Sequence, residues 1–295
     1  MKDDQNKKPL MWVDISPTAE QLMYSSVYKV FLSKQTKFQE MWIVECGDYG
    51  KSLFLDGESQ SATNNEFYYH EALVHPACIL HGNPQKVLIL GGGEGATIRE
   101  VLKWKTIKSA LMVDIDADVV DACKQYLPEM HQGAFDDPRV QVIIQDAIDF
   151  LEKTETKWDV IISDLTSPTE DGNSYKLFTV QYIELCKRLL NTHGVFVIQA
   201  GPVVPVNMKS HIKLAATVKY VFPYFISYAT LEGWGFILGS NTPIKTYQDS
   251  IELDQILLER TTNKFSAIDG IAINGMLHTP KYIRDAVSSE KQIYK

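Results

Sequence analysis

The chain has 295 residues, 45% of them hydrophobic and 11% aromatic, and a formal net charge of -8. That is enough apolar material for one large domain plus a small one, and the acidic balance argues against a nucleic-acid surface, which needs a basic face, while favouring cationic small ligands. The four scattered cysteines, Cys46, Cys78, Cys123 and Cys186, form no CxxC pair, and no apolar run approaches the roughly 20 residues of a membrane span, so a cytoplasmic protein without disulfides, structural zinc or a membrane anchor is expected.

From Tyr28 to Thr63, short β-rich runs broken by Gly-Asp and Asp-Gly predict an antiparallel meander, a small N-terminal β domain. "NEFYYHEALVHPACILHG" has helical character and ends at Gly82. Beyond it, apolar strands alternate with amphipathic helices, the pattern of parallel βαβ units. The strands are "KVLIL", "SALMVD", "RVQVIIQD", "WDVIISD" and "GVFVIQ", with "YVFPYFISYA" and "WGFILG" as later members. "YQDSIELDQILLER" and "PKYIRDAVSS" read as C-terminal helices packed back on the sheet. The expected architecture is α/β, a Rossmann-like doubly wound sheet of residues 81–295 preceded by a β-rich domain of residues 1–80.

In such a sheet the ligand lies beyond the carboxyl ends of the strands. The first four ends carry Glu94, Asp114, Asp146 and Asp164. Each also admits a plainer role: Asp114 and Asp146 as helix N-caps, Asp164 as a turn residue, Glu94 as a cap or a solvated side chain. Asp116 and Asp118 read as caps. Asp114 follows the glycine cluster of "LILGGGEGATIRE" by about 20 residues, the Rossmann spacing for an acid on a ribose, which points to an adenosine-containing ligand. Glu94 sits inside that cluster, where a pyrophosphate would be repelled. S-adenosylmethionine carries no phosphate, and once decarboxylated its tail ends in an ammonium that a carboxylate welcomes. The inferred donor is decarboxylated S-adenosylmethionine.

These residues carry a resemblance. "LDGESQSATNNEFYYHEALVHP", "VLILGGGEGATIREVLK", "VDID" and "SDLTSP" are similar, in order and spacing, to the signature segments of the polyamine aminopropyltransferases, the spermidine synthase family. The likeness runs from about Trp12 to Gly239, and "GGGEG", "SDL" and "QAGP" are nearest to the branch containing the thermospermine synthases. It implies a homodimer or homotetramer and no resident cofactor or metal. It also implies that Gln39, Gln60, His70, Gly91, Gly93, Glu94, Asp114, Asp146 and Ala147 contact the donor, with His70 and Glu94 on its amine. Tyr69 and Asp164 would receive the acceptor's attacking nitrogen, with Ser167, Gln199 and Trp234 on the acceptor side, and "TSPTEDGNSYKLF" would be a gatekeeping loop.

Aminopropyl transfer displaces a neutral thioether, methylthioadenosine, from the carbon next to a sulfonium. The leaving group needs no metal or general acid. The nucleophile needs help, because an alkyl amine with a pKa of about 10 has no lone pair at neutral pH, and Asp164 with Tyr69 is the candidate for removing its proton. Two adjacent tyrosines in a helix are otherwise packing residues. His70 and His75 lie five apart, on different helical faces, and so form no zinc pair. Trp12, Trp42 and Trp234 read as core or domain-contact residues, with Trp12 and Trp234 also placed to wall an acceptor channel.

The match breaks on the acceptor side. "DLTSP" puts Ser167 where the family has a second acid, and "SYATLEGWGF" is short for the family's loop before the last strand. Putrescine, giving spermidine, is the expected acceptor, with agmatine or spermidine as alternatives and Glu170 or Asp171 as candidates to replace the missing charge. A methyltransferase using intact S-adenosylmethionine and a catalytically silent binding homologue are the rival readings, and an NAD oxidoreductase ranks last.

Overall fold

The structure, a computed structural model, describes residues 8–15, 23–166, 173–245 and 249–295. Ser167, Glu170 and Asp171 lie outside the described residues. The N-terminal meander is a five-stranded antiparallel sheet with its strands in chain order: β1 (Met11–Asp14), β2 (Tyr24–Gln35), β3 (Glu40–Cys46), β4 (Gly50–Leu55) and β5 (Glu58–Ala62). Its last hairpin pairs Leu55 with Glu58 across Asp56-Gly57, whose φ values of 50° and 79° are those of a two-residue turn with both central residues left-handed.

Helix α1 (Glu66–His81) follows and closes on Gly82, at φ 88°. His70 through Leu80 are all buried, so beyond its first turn the helix is enclosed on every side. Although the sequence groups α1 with the small domain, its Leu73, Val74, Ala77 and Ile79 share a core with Val87 and Ile89 of the large sheet.

That sheet has seven strands in the order β11-β12-β10-β9-β6-β7-β8. Strands β6 (Lys86–Gly91), β7 (Ser109–Asp114), β8 (Val140–Ile144), β9 (Trp158–Asp164) and β10 (Leu190–Pro202) pair in parallel, and β11 (Tyr224–Ala229) and β12 (Trp234–Ser240) add antiparallel. Every strand foreseen from the apolar runs is present. Alternation sends Val87, Ile89, Val160 and Ile162 to one face, with α1, α2 (Ala96–Leu102), α8 (Ser250–Arg260) and α9 (Gly270–Leu277). Leu88, Leu90 and Ile161 point to the other, which α5 (Ala147–Lys153), α6 (Val180–Arg188), α7 (Lys209–Val221) and α10 (Lys281–Ser289) cover.

The small sheet is seated on the large domain. Met41, Ile43, Leu53 and Leu55 pack against Val119, Ala122 and Cys123 of α3 (Ala117–Tyr126) and Met130 of α4 (Pro128–His131). Strand β6 has β7 on one side and β9 on the other, so the chain reverses direction of winding there, and a crevice opens at the carboxyl ends of β6 and β9 under the rim of the small sheet. All four cysteines are buried and free, and no helix among the described residues is long and apolar enough to cross a membrane.

Candidate functional site

The crevice is a cavity of about 870 Å³ roofed by β4 and β5 and floored by the strand ends. Eight of its described lining side chains are carboxylic acids, against one lysine, Lys176. A cavity of that charge suits a cation.

Its floor is the glycine turn after β6. Gly91, at φ 84°, pairs with Asp164 in the parallel register, and a Cβ there would lie 2.1 Å from the Asp164 carbonyl oxygen. Only glycine lets the two strand ends approach so closely. Gly93 is crowded for another reason, since a Cβ there would stand 3.0 Å from the Asp114 carboxylate, which would have to give way slightly. Glu94 follows, with its carboxylate turned inward rather than to solvent.

Glu94 meets His70 from α1, Oε1 to Nε2 at 2.7 Å. The other ring nitrogen of His70, Nδ1, lies 2.9 Å from Glu66 Oε2 and 2.8 Å from the Glu66 carbonyl. Both nitrogens therefore face acceptors, and both must donate. Burial opposes a charge on His70, but the two carboxylates overcome it and lift its pKa to about 10. Burial likewise pushes Glu94 up, and the bond and charge of His70 outweigh it to hold Glu94 below the ordinary carboxylate range.

One residue back on α1, Tyr69 donates its hydroxyl to Asp164 Oδ1 at 2.7 Å, while Thr97 of α2 donates to Oδ2 at 2.5 Å. Burial and then the charge of Glu94 raise the pKa of Asp164, with His70 pulling the other way. The imidazole of His70 and the carboxylates of Glu94 and Asp164 form one group, each offering an atom within 4.8 Å of the others. A carboxylate with a raised pKa beside a carboxylate kept ionised can do two jobs: take a proton, and hold a cation.

Along the strand ends, Asp114 accepts the Asp116 N–H at 2.9 Å, and burial lifts its pKa to about 6. Asp116 caps α3 as foreseen and also binds Thr36 Oγ1 at 2.6 Å and Gln39 Nε2 at 3.2 Å, which ties the small sheet to the floor. Asp118 is not a cap: it pairs with Lys34 at 2.9 Å. Asp146 is a cap, its Oδ1 accepting from Ile148 and Asp149, and it lines the cavity as well.

A family model described as "Spermine/spermidine synthase domain" matches residues 66–247, and one described as "Spermidine synthase tetramerisation domain" matches residues 11–62. A polyamine aminopropyltransferase of Synechococcus sp. (strain JA-3-3Ab) is 44% identical over 97% of this chain and 96% of its own. One from Aeropyrum pernix is 39% identical over 93% and 90%. The chain belongs to the spermine/spermidine synthase family, the polyamine aminopropyltransferases. Among solved structures, a spermidine synthase in complex with the transition-state analogue AdoDATO superposes with a TM-score of 0.87 at 26% identity, covering 98% of this chain and 99% of that one. The spermidine synthase from Thermotoga maritima superposes at 0.85 and 25%, covering 98% of each.

In this aminopropyltransferase the cavity gathers Gln39, Gln60, Tyr69, His70, Gly91, Gly93, Glu94, Asp114, Asp146, Asp164, Gln199 and Trp234, nearly all of the side chains singled out in the sequence. Ala147 is an exception, buried at the start of α5 while Ile148 reaches the cavity wall. Trp12 is another, 62% exposed on β1 and away from the cavity. Gln199 spends its amide on backbone, donating to the Leu165 carbonyl at 2.7 Å and accepting from Gly201 at 3.1 Å, so it braces the turn after Asp164. Trp234 packs edge-on to Tyr69, and its indole N–H is buried without a partner among the described residues, as is the Ser61 hydroxyl on the same cavity. His75 points elsewhere, to Glu100 at 2.8 Å and the Trp104 indole at 3.0 Å. Sequence reasoning missed Glu66, Thr97 and Ser61. Glu66 stands four residues before His70 on one helix, a spacing that does place side chains together.

Proposed function

We propose that this chain transfers the aminopropyl group of decarboxylated S-adenosylmethionine to putrescine, giving spermidine and methylthioadenosine. The observation that carries the reading is the pair of short, part-buried contacts, His70 to Glu94 and Tyr69 to Asp164, side by side on one floor. Glu94 meets the donor's propylamine ammonium, where an intact methionine tail would bring a second carboxylate against it. Asp114 takes the ribose hydroxyls, Asp146 and the backbone near Ala147 the adenine, and Gln39 and Gln60 close the donor side from the small sheet.

The acceptor amine enters beside Tyr69 and Asp164 under Trp234. Asp164 takes the proton from its ammonium, the freed lone pair attacks the propyl carbon, and the carbon–sulfur bond breaks with its electrons left on sulfur as a neutral thioether. Alignment of two bound reactants supplies much of the acceleration. Ser167, Gln199 and Trp234 serve the acceptor.

We also infer a homo-oligomer, a dimer or a tetramer, built through the small sheet, since Trp12 and Leu10 stand 62% and 68% exposed at its β1 edge. Turnover with decarboxylated S-adenosylmethionine and a panel of putrescine, agmatine and spermidine tests the function. Putrescine should have the highest kcat/KM. A clear preference for another amine replaces the acceptor, and transfer of a methyl group from the intact nucleotide overturns the reaction.

A further inference from the structure

Glu66 and Arg99 have no place in the chemistry described so far, yet they are held as firmly as any group in the site. Arg99 of α2 donates Nη2 to Glu66 Oε2 at 2.8 Å, Nε to Glu100 Oε1 at 2.8 Å and Nη1 to the Met130 carbonyl at 2.5 Å, and it is 8% exposed. The Glu66 oxygen that it grips is the one that receives His70 Nδ1. The chain of contacts Arg99–Glu66–His70–Glu94 therefore alternates in sign and ends beside Asp164.

We propose that Glu66, fixed by Arg99, is a positioning residue that holds His70 as an imidazolium, and that this cation lets Glu94 and Asp164 stay ionised side by side. The proposal rests on the transfer reading, because only a proton-accepting Asp164 next to an ammonium-binding Glu94 requires both charges at once.

The charges facing His70 support it. Glu66 comes from α1 itself, Glu94 from the glycine turn and Asp164 from the end of β9. Asp114 lies beyond Glu94 at the end of β7, and α2 contributes Thr97 to Asp164 and Arg99 to Glu66. Glu100 is turned away to His75, Arg99 and Lys103. Without His70's charge, Glu94 and Asp164 would be two neighbouring buried anions, and the proton would stay on one of them. A Glu66 that merely neutralises Arg99 would leave that balance untouched.

The test is Glu66→Gln in the full chain, a change that keeps shape and removes charge. Nitrogen NMR of the unliganded protein at neutral pH should show both His70 ring nitrogens protonated in the wild type, and one of them deprotonated in the variant. The carboxyl carbon of Asp164 should titrate at higher pH in the variant. In turnover with decarboxylated S-adenosylmethionine and putrescine, the acid limb of kcat/KM should move up by about one pH unit, so that the deficit grows about tenfold from the alkaline to the acid end. Arg99→Met should move the limb the same way, and Arg99→Lys should restore it. A neutral His70 in the wild type, a still-charged His70 in Glu66→Gln, or a loss of rate equal at all pH values overturns the proposal. If the wild type transfers nothing to any amine, the transfer reading fails, and the NMR signals alone decide whether Glu66 sets the charge of His70.

Discussion

Tyr69 and Asp164 stand 2.7 Å apart, hydroxyl to carboxylate, although one belongs to the first turn of α1 and the other ends β9. The bond aims the carboxylate, and burial keeps its proton affinity above that of an ordinary aspartate. Asp164→Asn keeps the shape and removes the base. The prediction is a fall in kcat of about 10²- to 10⁴-fold at neutral pH, with partial recovery as rising pH deprotonates the amine in solution. Steady-state rates between pH 7 and 10 would show it. A kcat within a few-fold of the wild type would remove Asp164 from the proton transfer.

Glu94 is predicted to choose the donor. A hydrogen bond between charged groups is worth about 1.5–3 kcal/mol, so Glu94→Gln should weaken binding of the decarboxylated nucleotide by roughly ten- to a hundredfold. Intact S-adenosylmethionine should change little or gain, because its own carboxylate no longer meets a like charge. Calorimetry with both nucleotides measures the ratio. Equal losses for the two would mean that Glu94 does not read the tail.

The parts of this site that were legible in the sequence are those where backbone geometry dictates residue type. Gly91 is forced by the approach of Asp164, and Asp114, Asp146 and Asp164 come at the ends of apolar runs because parallel strands deliver their last residues to one edge. Glu66 and Arg99 were not legible. They are 33 positions apart and meet only because α1 lies against α2, and a helix buried all round beyond its first turn has no polar stripe to mark its functional face. The same enclosure explains the placing of α1: its apolar residues recur without a clean period, so nothing in the run tells which sheet it packs on. Trp12 misled because an aromatic side chain at a sheet edge reads alike whether a ligand or another surface covers it.

The approach at Gly91 predicts a contrast between two alanine substitutions. Gly57, at φ 79°, has open space around its Cβ position, so Gly57→Ala should cost only the left-handed backbone penalty of about 1–2 kcal/mol. Gly91→Ala adds a collision with the Asp164 carbonyl and should cost about 3 kcal/mol or more. It should also displace Asp164 and reduce kcat. Thermal unfolding and turnover of the two variants make the comparison, and equal effects would sink the packing account.

Restoring an acid at position 167 is predicted to favour a dication. Ser167→Asp adds one negative charge, and an aspartate that meets an ammonium of the acceptor would contribute about 1 kcal/mol. KM for putrescine should fall about fivefold, with kcat changing less. An unchanged KM would show that residue 167 does not meet the acceptor.

Stability has its own pH signature behind the site. Glu100 is wholly buried and accepts from His75 at 2.8 Å, Lys103 at 2.7 Å and Arg99 at 2.8 Å. Burial alone would raise its pKa, but these three partners bring it down to about 2. A carboxylate whose folded pKa lies below its unfolded value of about 4.3 contributes stability that is complete above pH 4.3 and fades as pH falls toward 2. The contribution is on the order of 3 kcal/mol at neutral pH. Glu100→Gln should therefore unfold at a lower temperature than the wild type at pH 7, and the gap should narrow as pH is lowered from about 4.5 to 2.5, because protonation makes the wild-type side chain as neutral as the amide. Melting curves of both proteins over that range decide it. A gap that stays constant down to pH 2.5 would mean that Glu100 acts through shape and not through charge.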